Sequence, residues 1–195
     1  MNLPNQLTVS RFVLTGFFLV ALLVRFPFHE TFALILFIAA SITDYFDGSI
    51  ARSRKLITNF GILMDPLADK ILVCSAFIAF VELKWVPAWM VIVIVARELA
   101  ITGLRLLAAA KNLVLAAEGF GKHKTVSQIV CISAILMSMA YPTWGNGART
   151  LFETPASLPW FQVVTEASKW TAVALTLISG SIYLRRNRAV YLSDM

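Results

Sequence analysis

The sequence predicts an all-α integral membrane protein: a bundle of six transmembrane helices with a short interfacial segment in front of the first. Three observations predict it. Of 195 residues, 58% are apolar and only 14% charged, where a soluble domain has roughly 45–50% and 25%. The mean hydropathy is +0.76. The apolar residues also fall into six runs of the right length, since a bilayer core takes about 20 residues per helix. A chain this short is read as a single domain over residues 1–195.

The opening residues Asn2, Pro4, Asn5 and Gln6 interrupt any signal-like run. They read as the interfacial segment. The six runs are 7–26, 32–52, 61–81, 86–109, 124–142 and 160–184. Arg25, Pro27 and His29 end the first. Arg52 to Asn59 separates the second from the third. Glu82, Lys84 and Pro87 close the third, and Lys111 to Lys124, with Gly119 and Gly121, joins the fourth to the fifth. Tyr141 to Pro159, rich in glycine and proline, reads as the longest loop. Pro66 leaves two options open: Asp65 caps a helix that begins at Pro66, or the helix starts earlier and kinks there.

The basic residues set an orientation. Arg52, Arg54, Lys55, Lys111, Lys122, Lys124, Arg185, Arg186 and Arg188 fall on one side, and Arg25, Lys84, Arg149 and Lys169 on the other. The richer side is cytoplasmic, with both termini. The net charge of +6 matches topology and anionic lipid. The cations are spread along the chain and not gathered in a stripe, so nucleic acid is not an expected partner. Cys74 and Cys131 lie in apolar runs and read as packing residues.

Four aspartates interrupt this apolar chain: Asp44-x-x-Asp47-Gly48-x-x-Ala51-Arg52, then eight residues, then Gly61-x-x-x-Asp65-x-x-x-Asp69. Intramembrane acids are expensive and default to function. Spacings of three and four put each pair on one helical face. Antiparallel second and third spans would bring all four to one depth near the cytoplasmic surface. Four carboxylates together call for a cation, and hard oxygen ligands suit magnesium or manganese. Two such ions about 3.5–4 Å apart are the usual clamp for displacement at phosphorus. Gly48, Ala51 and Gly61 would let a bulky substrate approach the backbone. Arg52 offers a fork of donors to a phosphate or diphosphate. Taken singly, each of these residues also fits a solvated helix end or a packing contact. The fixed spacing of the whole set does not.

This stretch resembles the signature of the CDP-alcohol phosphotransferases, with every signature position present. The resemblance implies a six-span membrane enzyme, often dimeric. Such an enzyme moves a phosphate-bearing group from a CDP-linked donor to an alcohol and releases CMP. It implies that Asp44, Asp47 and Asp65 bind divalent metal, with Asp69 close by as general base. Asp44, Gly48, Ala51, Arg52 and Gly61 would line the CDP site.

Donor and acceptor vary within such a family, so other residues must select them. Arg97 and Glu98 precede Arg105 by eight and seven residues, about two turns, and are read as sharing a face with it near the end of the fourth span. An acceptor with its own phosphate needs such a site. Gly121-Lys122-His123-Lys124-Thr125-Val126-Ser127-Gln128 places two lysines where a helix begins, which favours an anion there. Topology alone also accounts for such lysines. His123 reads as an exposed residue and not a catalyst. The pattern Arg97-Glu98…Arg105 with Gly121-Lys122-x-Lys124-Thr125-x-x-Gln128 is similar to the bacterial phosphatidylglycerophosphate synthases, as is Asn2-x-Pro4-Asn5-x-x-Thr8-x-x-Arg11. That similarity implies CDP-diacylglycerol as donor and glycerol 3-phosphate as acceptor. Asn5, Thr8 and Arg11 would then help hold the nucleotide. Arg97, Glu98, Arg105, Lys122, Lys124, Thr125 and Gln128 would form the acceptor-phosphate site. It also implies a homodimer in the bacterial inner membrane, surrounded by lipid, with its active site facing the cytoplasm. Competing readings are a sister enzyme taking inositol phosphate, serine or phosphatidylglycerol, and, from another class, a cation transporter. Arg52 beside the carboxylates speaks against an ion path.

Overall fold

The computed structural model describes the backbone of residues 3–54, 59–110, 113, 119–153, 160–188 and 190, and the side chains of 9–43, 70–109, 113, 123–153, 160–188 and 190. Among these residues the protein is all-helical. Seven α-helices follow in order: α1 Leu3–Leu23, α2 His29–Arg54, α3 Asn59–Glu82, α4 Ala88–Ala110, α5 Gly119–Ala140, α6 Asn146–Phe152 and α7 Trp160–Arg186.

The six long helices match the six apolar runs, and the differences have local causes. The expected segment before the first run is continuous with α1, which is helical from Leu3. Pro4 falls in the first turn, where its missing N–H has no intrahelical partner to lose. α3 begins at Asn59, so Pro66 lies inside it and not at its start. α5 begins at Gly119, so Gly121, Lys122 and Lys124 belong to its first two turns and not to the connection. The expected loop after residue 140 holds a 3-10 turn, Tyr141–Trp144, and then α6. Gly145 between them has φ +93, which only glycine adopts without strain.

The α3–α4 turn is a Schellman closure. Trp85 N donates to Phe80 O at 2.8 Å and Lys84 N to Val81 O at 3.0 Å. Lys84 sits at the left-handed position with φ +61, where glycine is usual. Pro87 then stands just before the first residue of α4.

α1 packs along both α2 and α3, α5 touches α2 and α3, and α7 packs against α4 and α5. The core between them is built from Phe18 and Leu22 of α1, Phe37 of α2, Phe77 and Phe80 of α3, Ile94 of α4, and Ile132, Ile135 and Leu136 of α5. Phe18 and Phe37 meet with ring centroids 5.7 Å apart. Truncating one such aromatic to alanine costs about 3–5 kcal/mol. Ala33, Ala40, Ala76 and Ala172 are fully buried and let helices approach closely. The outward faces are apolar too: Ile92 is 65% exposed, Leu99 63% and Val163 67%. Among the described residues one helical stretch, His123–Trp144, is long and apolar enough to cross a membrane; Val9–Leu23 and His29–Thr43 are shorter apolar stretches.

Two groups of contacts identify the ends of the bundle. At one end Lys169 of α7 donates to the Trp85 carbonyl (2.9 Å), Ser138 of α5 meets Thr165 of α7 (2.8 Å), and Trp144 donates to Thr31 of α2 (2.8 Å). At the other, late α4, early α5 and late α7 come together. The motif-bearing end of α2 and the beginning of α3 therefore lie toward this second end.

Candidate active site

Both halves of the aspartate motif are helical. Asp44, Asp47, Gly48, Ala51 and Arg52 lie in the last turns of α2, and Gly61, Asp65 and Asp69 in the first half of α3. Their side chains lie outside the described residues, as do those of Asn5, Thr8 and Lys122. The donor set itself fits a hard divalent cation, since regular helix brings residues three or four apart onto one face. Arg11 is described: it is buried on α1, one turn before Thr15, whose hydroxyl donates to the Arg11 carbonyl.

The cationic cluster is described in detail. Lys124 of α5 donates to Glu98 Oε1 of α4, and both side chains are buried. Arg97 reaches the same oxygen through Nη1 at 3.4 Å and donates through Nη2 to Ser179 Oγ of α7 at 3.2 Å. Arg105 donates through Nε to the Tyr183 hydroxyl at 3.2 Å. Gln128 donates to Thr176 Oγ1 at 3.2 Å. Thr125 and His123 are exposed on α5. The structure thus gathers Arg97, Glu98, Arg105, Lys124 and Gln128 around one face of α7.

Those α7 residues were not anticipated. Thr176, Ser179, Gly180 and Tyr183 are all buried on α7. They recur at i, i+3, i+4 and i+7, one helical stripe. A hydroxyl-bearing stripe inside an apolar run was the signal available in the sequence. Gly180 serves close approach: a Cβ there would stand 2.9 Å from Arg97 Cγ. Arg97 Nε is buried and has no hydrogen-bond partner among the described residues. Such an unmet donor costs about 1–3 kcal/mol.

The chemical sense of the cluster is clear. Arg97 and Lys124 share the Glu98 carboxylate, and Arg105 stands on the same face of α7, so three cations face one acid and the group keeps positive charge in a low-dielectric setting. Glu98 is an acceptor only and cannot contact a phosphate favourably. Its visible work is to hold Lys124 and Arg97.

Residues 1–178 match the family model described as CDP-alcohol phosphatidyltransferase. The chain belongs to that family. Within this CDP-alcohol phosphatidyltransferase the match takes in both motif halves and Arg97 to Gln128, and ends just before Ser179, Gly180 and Tyr183. The chain is 40% identical to the CDP-diacylglycerol--glycerol-3-phosphate 3-phosphatidyltransferase of Bacillus subtilis (strain 168), over 95% of each chain. It is 31% identical to the protein of the same name from Rickettsia bellii (strain RML369-C), over 94% of each. It is 36% identical to the probable phosphatidylglycerophosphate synthase of Mycobacterium tuberculosis (strain ATCC 25618 / H37Rv), over 95% of this chain and 81% of that one.

Proposed function

We propose that this protein transfers the phosphatidyl group from CDP-diacylglycerol to glycerol 3-phosphate, giving phosphatidylglycerophosphate and CMP. The observation that carries this is end-to-end similarity, at 31–40% identity, to relatives bearing that activity in their names. The α4–α5–α7 cluster supports the acceptor: a substrate with its own phosphate needs fixed cations, and Arg97, Arg105 and Lys124 supply them.

The protein is a multi-pass resident of the bacterial cytoplasmic membrane, with both termini and the active site on the cytoplasmic side. The apolar outward faces and the inward-facing Glu98, Lys124, Gln128 and Thr176 support this. It works as a homodimer, bounded by membrane lipid.

Asp44, Asp47 and Asp65, with Asp69 beside them, hold magnesium or manganese, two ions in all. When bound, the metal supplies positive charge to the donor diphosphate and the departing CMP. Gly48, Ala51 and Gly61 leave room for the nucleotide, while Asn5, Thr8, Arg11 and Arg52 hold it. Arg105, Lys122 and Lys124 hold the acceptor phosphate, with Arg97, Thr125 and Gln128 in support, so that the primary hydroxyl is positioned for attack. Glu98 acts through Lys124 and Arg97. Asp69 takes the hydroxyl proton as the oxygen bonds to the lipid-bearing phosphorus. The bond from that phosphorus to the CMP oxygen breaks, and CMP leaves with the electron pair.

The test is an acceptor panel. Purified protein with CDP-diacylglycerol and magnesium is offered glycerol 3-phosphate, serine, inositol phosphate or phosphatidylglycerol, and CMP release is measured. Release with glycerol 3-phosphate is expected. Release only with another acceptor would overturn the assignment.

A further inference from the structure

Arg105 and Tyr183 are unequal partners. Arg105 is exposed on α4, whereas Tyr183 is 2% exposed on α7 and packs with Ile101, Leu104, Ala108 and Val190. A free arginine side chain gives up rotamer entropy when it is fixed. The buried ring supplies a rigid anchor. Its hydroxyl accepts from Arg105 Nε at 3.2 Å, and the guanidinium carbon lies 5.4 Å from the ring centroid, within cation–π range.

The choice of nitrogen matters. An arginine has five donors, and the four on its terminal nitrogens form the fork that grips an oxyanion. Tyr183 uses the fifth, on Nε, and leaves both terminal nitrogens without a partner among the described residues. One turn earlier on the same stripe, Arg97 is held the other way, with its terminal nitrogens on Glu98 and Ser179 and its stem against Gly180.

We infer that Tyr183 is a positioning residue for acceptor binding: it fixes Arg105 by Nε and the ring face so that the terminal fork meets the acceptor phosphate already ordered. This rests on the reading of Arg105 as an acceptor-phosphate ligand. Tyr183 acts only through Arg105 and touches no substrate.

The experiment is a double-mutant cycle on the full chain in phospholipid vesicles, with KM measured for each substrate. Tyr183→Phe keeps the ring and removes the hydroxyl, so the thermal midpoint should hold. It is expected to raise KM for glycerol 3-phosphate about tenfold, the size of one hydrogen bond to a charged group. KM for CDP-diacylglycerol should stay within about twofold. Arg105→Gln should raise acceptor KM further, and in that background Tyr183→Phe should be silent. If Arg105→Gln leaves acceptor KM unchanged, the reading of Arg105 fails, and the inference with it. If Arg105→Gln acts but Tyr183→Phe does not, or the two effects simply add, the inference alone is overturned.

Discussion

Lys124 on α5 donates its ammonium to the Glu98 carboxylate on α4, and fewer than one part in ten of either residue is exposed. The pair ties the start of α5 to α4 within the cationic cluster. Removing one member of a buried pair strands the other charge, at about 3–5 kcal/mol. Glu98→Ala is therefore expected to lower the thermal midpoint strongly and to abolish acceptor saturation. Glu98→Met with Lys124→Met should recover most of the stability but not the activity. Thermal melts in detergent decide it: a Glu98→Ala protein as stable as the parent would show that the pair does not bind the helices.

Gly180 carries a second prediction. A methyl group there would meet Arg97 Cγ at 2.9 Å, in the stem of the side chain and not at its flexible tip. Arg97 must move, and its bonds to Ser179 and Glu98 move with it. Gly180→Ala is expected to cost about 1–3 kcal/mol, as overpacking does, and to raise KM for glycerol 3-phosphate. Gly103→Ala is the control, since a Cβ there meets nothing within 4 Å. Equal behaviour of the two variants would remove the close approach as the cause.

The six long helices were legible because hydropathy and loop charge act residue by residue. The ends were less so. Pro4 and Gly121 read as interruptions, yet both lie inside helices, and Pro66, where two starts were open, lies inside a helix that begins earlier, because proline is tolerated in a first turn and neighbouring helices outweigh a local propensity. Arg97, Glu98, Arg105 and Lys124 were recognised by type and spacing. Their pairing was not, since whether an acid binds substrate or serves a neighbouring lysine depends on which helix faces it. The α7 stripe escaped notice for the same reason: Thr176, Ser179 and Tyr183 have no charge, and their partners lie 48 to 82 positions away in the chain.

Metal dependence gives a third prediction. Chelation should abolish CMP release, and magnesium or manganese should restore it. Asp69→Asn should still bind CDP in the presence of metal but lose turnover by more than about a hundredfold, the usual scale for a lost general base. Nucleotide binding followed by calorimetry, beside a turnover assay, separates the two roles. A fully active Asp69→Asn protein would remove Asp69 from proton transfer.

Lys122 offers the cleanest probe of the acceptor site, because Lys124 cannot be changed without breaking its pair with Glu98. If Lys122 contacts the acceptor phosphate, its loss should raise KM for glycerol 3-phosphate by roughly tenfold, the scale of a charge-assisted hydrogen bond. KM for CDP-diacylglycerol should hardly change. Higher salt should shrink the difference between variant and parent if the contact is electrostatic, since the screening length is about 10 Å at 0.1 M. Lys124→Ala, by contrast, should lower stability and acceptor affinity together. An acceptor KM untouched by Lys122→Ala at low salt would leave that lysine with topology alone, and the acceptor phosphate would then rest on Arg105 and Lys124.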